Sequence, residues 1–155
     1  MKVKAEIWFW LPGDNDLSHW WTGLVSRYIH VSPVVNGMNL TAHRDGSEWL
    51  SITDPDVDPE YQDADVKIPV LIPAHTMIGP QRYEGYTLPR FQMWAHHVLR
   101  SCFLVDGPEP EGTCVWLTKR ILGWNRPDLQ TPDELYEELI CQTNFLASSE
   151  NSLKN

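Results

Sequence analysis

The stretch Tyr28-Ile29-His30-Val31-Ser32-Pro33-Val34-Val35-Asn36-Gly37-Met38-Asn39-Leu40-Thr41-Ala42-His43 constrains the fold more than any other part of the chain. Asn36-Gly37 separates two runs rich in apolar residues, and this dipeptide is the preferred filler of a two-residue type I′ turn, because both positions need φ > 0. With those two residues as the loop, Val35 faces Met38, Pro33 faces Leu40 and His30 faces His43. Directly opposed residues share a sheet face with Cβ atoms roughly 4.5 to 5.5 Å apart, within working distance for two imidazoles. Pro33 strains this pairing, since proline has no N–H to give a ladder, so the first arm is expected to be an edge, to carry a bulge or to be out of register. Each histidine alone also fits a surface position or a satisfied core position.

The rest of the chain reads as α+β. Val3 to Trp10 is dense in Ile7, Trp8, Phe9 and Trp10, as in a strand buried on both faces. Leu11-Pro12-Gly13-Asp14 ends it. Asp14 or Asp16 can cap a helix whose apolar stripe is Leu17, Trp20, Trp21, Leu24, Val25 and Tyr28. After the hairpin, Arg44-Asp45-Gly46-Ser47 reads as a turn into a short strand from Trp49 to Ile52, and Lys67 to Ile72 reads as a strand with Pro69 at an unpaired position. Pro89 can open a helix with Phe91, Trp94, Ala95, Val98 and Cys102 on one face.

The last third carries stronger signals. Asp106 to Gly112 breaks regular structure, Thr113 is a good N-cap for a helix from Cys114 to about Leu122, and Gly123 closes it. Thr131-Pro132-Asp133-Glu134 is a capping box with proline at the first helical position, opening a helix that carries Leu135, Leu139, Ile140 and Cys141. Cys102 and Cys141, on apolar helix faces, are expected to be buried and slow to react. Residues 1–147 form one domain, and the tail 148–155 is expected to fray.

Composition excludes several functions. A net charge of −9 without clustered Lys and Arg argues against a nucleic-acid partner. No segment approaches the roughly 18 apolar residues of a membrane span, and the start of the chain lacks a signal-peptide core, so a cytoplasmic location is expected and no membrane partner. The three cysteines form no C-x-x-C pair, which fits free thiols and not a zinc site. Thr53 to Asp65 alternates acids with prolines but lacks the glycine and final glutamate of a calcium loop, so no metal and no cofactor is expected. Eight tryptophans fall mostly in apolar runs, read first as core and second as a binding surface.

The chemistry centres on Cys114. A cysteine in the first turn of a helix meets orphan N–H groups and the positive end of the macrodipole, and both favour the thiolate. An imidazole in reach would complete a nucleophile–base pair, and a second imidazole could orient the first. A small buried hydrophobe is the equal alternative for Cys114.

Trp20-Trp21-Thr22-Gly23-Leu24-Val25-Ser26-Arg27-Tyr28-Ile29-His30-Val31, then Ala42-His43, and later Thr113-Cys114-Val115-Trp116-Leu117-Thr118-Lys119-Arg120-Ile121-Leu122-Gly123, resemble the circularly permuted papain-like branch of the NlpC superfamily. That branch includes small phage and bacterial proteins and the lecithin:retinol acyltransferase type. The resemblance covers the chain from the first strand through Leu139. It implies an antiparallel sheet of about five strands packed against helices, with Cys114 as nucleophile, His30 as general base and His43 as the third, orienting member. It also implies a phage-encoded thiol hydrolase acting on a peptide or peptidoglycan-type amide. The sequence departs from the branch at Ile29 and Thr113, where serine, or serine or aspartate, is frequent. The rival reading is a protein of the same fold that binds and inhibits a host protein, and the third a lipid acyltransferase or thioesterase.

Overall fold

A computed structural model describes residues 1–13, 26–43, 46–56, 62–77, 79, 81–82, 95, 98–100, 102 and 113–152. The helix read over Leu17, Trp20, Trp21, Leu24 and Val25, the start of the helix at Pro89 and the break from Asp106 to Gly112 lie outside the described residues, although Ala95 and Val98 to Arg100 are helical.

Among the described residues six strands form one sheet: β1 (Lys2–Trp10), β2 (His30–Val35), β3 (Met38–His43), β4 (Gly46–Ser51), β5 (Val66–Pro73) and β6 (Gln81–Arg82). The order across the sheet is β5-β1-β2-β3-β4-β6, and the paired strands run antiparallel. The helices with described bounds are α1 (Cys114–Leu122) and α2 (Pro132–Ser152). The fold is therefore α+β, with an antiparallel sheet packed against helices. Helix α2 continues past Ser148, where the sequence suggested fraying.

The residues of β1 sort by alternation, as a strand buried on both faces requires. Ala5, Ile7 and Phe9 join the main core with Val31, Val35, Leu40, Val115, Leu117, Ile121, Leu135 and Leu139, so this is the helix-bearing face. Trp8 and Trp10 join Val34 in a second cluster on the other face.

The hairpin turn forms as its residues dictate. Asn36 (φ 50°) and Gly37 (φ 73°) both have positive φ, and Val35 pairs with Met38 and Val34 with Asn39. Of the three ways of accommodating Pro33, the edge is excluded, because β2 lies between β1 and β3 with Pro33 paired to Ile7. In the hairpin register Pro33 would have donated to Leu40. The Ser32 hydroxyl does so instead, at 2.6 Å from the Leu40 carbonyl, and it also donates to Asn39 Oδ1. A neighbouring side chain thus supplies the donor that proline lacks. β4 starts at Gly46, where the sequence suggested a turn.

At the outer edge, β5 carries two prolines, Pro69 and Pro73, which blunt pairing with another strand.

Candidate active site

Thr113 starts α1 because its extended backbone (φ −70°, ψ 159°) lets the hydroxyl accept from the Trp116 amide at 3.0 Å. Cys114 is consequently the first helical residue. It is half-buried and packs against the helix-side core, and its carbonyl accepts from the Thr118 hydroxyl at 2.8 Å. No acidic residue lies in the first turn of α1, while Lys119 and Arg120 lie in the last.

The direction of α1 follows from its other end. Gly123 closes the helix in the left-handed region (φ 72°), with its amide donating to Arg120 and that of Trp124 to Lys119. A Cβ at Gly123 would lie 3.4 Å from the Pro73 ring, and the Thr76 hydroxyl donates to the Ile121 carbonyl. Pro73 is paired with Lys2, so α1 ends where β1 begins. Helix α1 packs mainly against β2 and also touches β3 and β5.

His30 is half-buried and pairs with Trp10, their ring centroids 5.1 Å apart and tilted by 47°. The Ile29 amide also donates to the Trp10 carbonyl, at 2.9 Å, so two residues of this arm oppose one of β1, in the manner of a β-bulge. Directly paired residues share a face, which puts His30 in the row of Trp10, whereas Val31 and Cys114 belong to the helix-side core. Along the strand register His30 and Cys114 therefore lie on opposite faces of the sheet. His43 is the last residue of β3 and pairs with Gly46. Its side chain lies outside the described residues.

Just before His30 sits an aromatic group. Tyr28 is buried, 5.1 Å from Phe9 and 5.0 Å from Tyr136 by ring centroids, with the Arg27 guanidinium 5.0 Å above its ring. Burial, and next the neighbouring Tyr136, push the Tyr28 phenol above its ordinary value.

The expectation for the other cysteines is corrected, since Cys102 and Cys141 are both exposed. Among the described side chains of α2 the buried positions are Pro132, Leu135 and Leu139, and at 3.6 residues per turn Cys141 falls two residues off that stripe, on the far side. Two features had no signal in the sequence. Lys119 is buried, with its ammonium donating to the carbonyls of Arg126 (2.8 Å) and Leu129 (2.5 Å), and Asp133 reaches back to the chain ahead of β2.

Among the described residues no group of three His, Cys, Asp or Glu side chains is placed to hold a metal ion. A surface concavity of about 930 Å³ lies at the far end of the sheet, where Lys2, Leu122, Trp124 and Leu139 line it, and neither Cys114 nor His30 is among its lining residues. Its walls include residues of both sheet faces, such as Ala5 and Trp8, so it wraps the sheet and is not one closed chamber. No protein-family model matches the chain, and comparison with curated proteins and with solved structures yields no match.

Proposed function

We propose that the chain is a cysteine-dependent hydrolase of the permuted papain-like kind, cleaving a peptide or peptidoglycan-type amide through an acyl-enzyme. Cys114 is the nucleophile, His30 the general base and His43 the orienting residue. The observation that carries this reading is that Cys114 is the first residue of a Thr113-capped helix packed against β2, the strand that His30 opens.

The Cys114 thiolate attacks the amide carbonyl, and first-turn amides of α1 receive the developing oxyanion. Collapse breaks the C–N bond while the His30 imidazolium protonates the departing amine. Water, giving its proton to His30, then attacks the thioester and releases the acid and the thiolate. Closing the pair requires the His30 ring to leave the Trp10 row and turn toward α1. The doubled Ile29–His30 position opposite Trp10 is the kind of irregularity that re-aims a side chain beside an active site.

The rival reading, a binder of a host protein, draws on the net charge of −9 and on the tryptophans as an exposed patch. Among the described residues Trp8 and Trp10 are buried, and Trp49, Trp116 and Trp124 half-buried, so they lend it no such surface. No helix among the described residues is long and apolar enough to cross a membrane. The test is covalent capture: a panel of short peptidyl vinyl sulfones, followed by peptide mapping. The account expects an adduct on Cys114 that disappears in His30→Ala. Adducts only on Cys102 and Cys141, or a Cys114 adduct indifferent to His30, would contradict it.

A further inference from the structure

Asp133 is the second residue of α2, and its carboxylate leaves the helix to bind a segment far away in sequence. Oδ2 accepts from the Arg27 amide at 2.7 Å and Oδ1 from the Tyr28 amide at 3.0 Å. The same segment is held from within by the Ser26 hydroxyl, which donates to the Tyr28 carbonyl at 2.7 Å, and from β1 by the bond from the Ile29 amide to Trp10. The residues that lead into His30 are therefore gripped between α2 on one side and β1 on the other.

The platform that carries Asp133 is itself braced. Glu134 accepts from the amides of Gln130 (2.7 Å) and Thr131 (3.0 Å), and the Thr131 hydroxyl accepts from the Glu134 amide at 3.3 Å. The Arg100 guanidinium spans both oxygens of Glu134 at 3.0 and 3.2 Å and donates to the Asp128 carbonyl at 2.6 Å. A carboxylate taking two backbone amides from such a base sets a position and does more than cap a helix, because Thr131 and Glu134 already perform the capping.

We infer that Asp133 is a positioning residue for His30, fixing the backbone just ahead of it and thereby the aim of the imidazole. Its catalytic meaning rests on the role given to His30 above, but the positional claim stands without it. Asp133→Asn keeps the shape and turns one acceptor into a donor facing an N–H. Asp133→Glu keeps the charge and lengthens the reach. Glu138→Gln removes a charge farther along α2 without touching residues 26–29, and serves as the control.

Two readouts are taken on the full chain with Cys102 and Cys141 replaced by serine. The first is the His30 ring resonances and their titration by NMR. Asp133→Asn is expected to move both, Asp133→Glu to move them less, and Glu138→Gln to leave them in place. The second is Cys114 alkylation by iodoacetamide near pH 6, expected to fall between about tenfold and a hundredfold in Asp133→Asn, the range of a small misplacement of a reacting pair. Unchanged His30 resonances in a folded Asp133→Asn would overturn the inference, and should that variant not fold, the same outcome in Asp133→Glu decides. An ordinary thiol profile for Cys114 in the parent protein would defeat the hydrolase reading alone, leaving the NMR result to decide the role of Asp133.

Discussion

Trp10 and His30 are direct partners across β1 and β2, with ring centroids 5.1 Å apart and planes tilted by 47°. An imidazole that close to an indole feels its ring current. The His30 ring protons are expected upfield of an ordinary histidine, to move downfield in Trp10→Leu, and to keep part of the shift in Trp10→Phe. Unshifted His30 protons in the parent protein would mean that the ring spends its time elsewhere.

Lys119 ties the return loop to α1 through the carbonyls of Arg126 and Leu129, and it is buried. Lys119→Met keeps the buried stem and deletes the donor, leaving two carbonyls to find other partners. Hydrogen bonds from a charged donor contribute roughly 1.5 to 3 kcal/mol each, with incomplete additivity, so a loss of about 2–4 kcal/mol in urea unfolding is expected. A change below about 0.5 kcal/mol would show that the loop is held by packing alone.

Tyr28 gives a pH dependence of known sign. Its folded-state pKa lies above the ordinary value of a tyrosine phenol, because burial disfavours the phenolate and Tyr136 adds to the effect. The neutral phenol is favoured in the fold, so the contribution is fully present below the unfolded pKa and is lost as pH rises through the folded one. Stability is expected to fall above about pH 10 more steeply in the parent protein than in Tyr28→Phe. Parallel profiles would show that Tyr28 does not titrate differently on folding.

Pro69 sits in the outermost strand beside the exposed Leu71. Pro69→Val restores an N–H and a strand-favouring side chain to that edge, and is expected to produce concentration-dependent association in light scattering. A variant that stays monomeric would mean that Pro73 or neighbouring chain already protects the edge.

Features encoded over a few residues were legible in advance. Asn36-Gly37 has the two positive φ values its turn needs, Thr113 caps α1, Gly123 ends it in the left-handed region, and Thr131 and Glu134 bond reciprocally. The two-faced burial of β1 was legible from its run of large apolar residues. What was not legible depends on partners remote in sequence. Pro33 sits in an inner strand where the Ser32 hydroxyl supplies a donor to the Leu40 carbonyl, and Asp133 meets Tyr28 from 105 positions away. Cys141 was misread because an apolar residue next to a stripe is not thereby on it, two residues being more than half a turn. The face on which His30 lies is set by pairing with Trp10, which no local pattern announces.

The measurement that tests the central claim most directly is the alkylation rate of Cys114 against pH, in a background lacking Cys102 and Cys141, with and without His30. The exposure of those two thiols makes the background necessary. The account predicts a reactive plateau extending well below the free-thiol pKa of about 8.5, abolished in His30→Ala. A rate that follows an ordinary thiol in both proteins would contradict it.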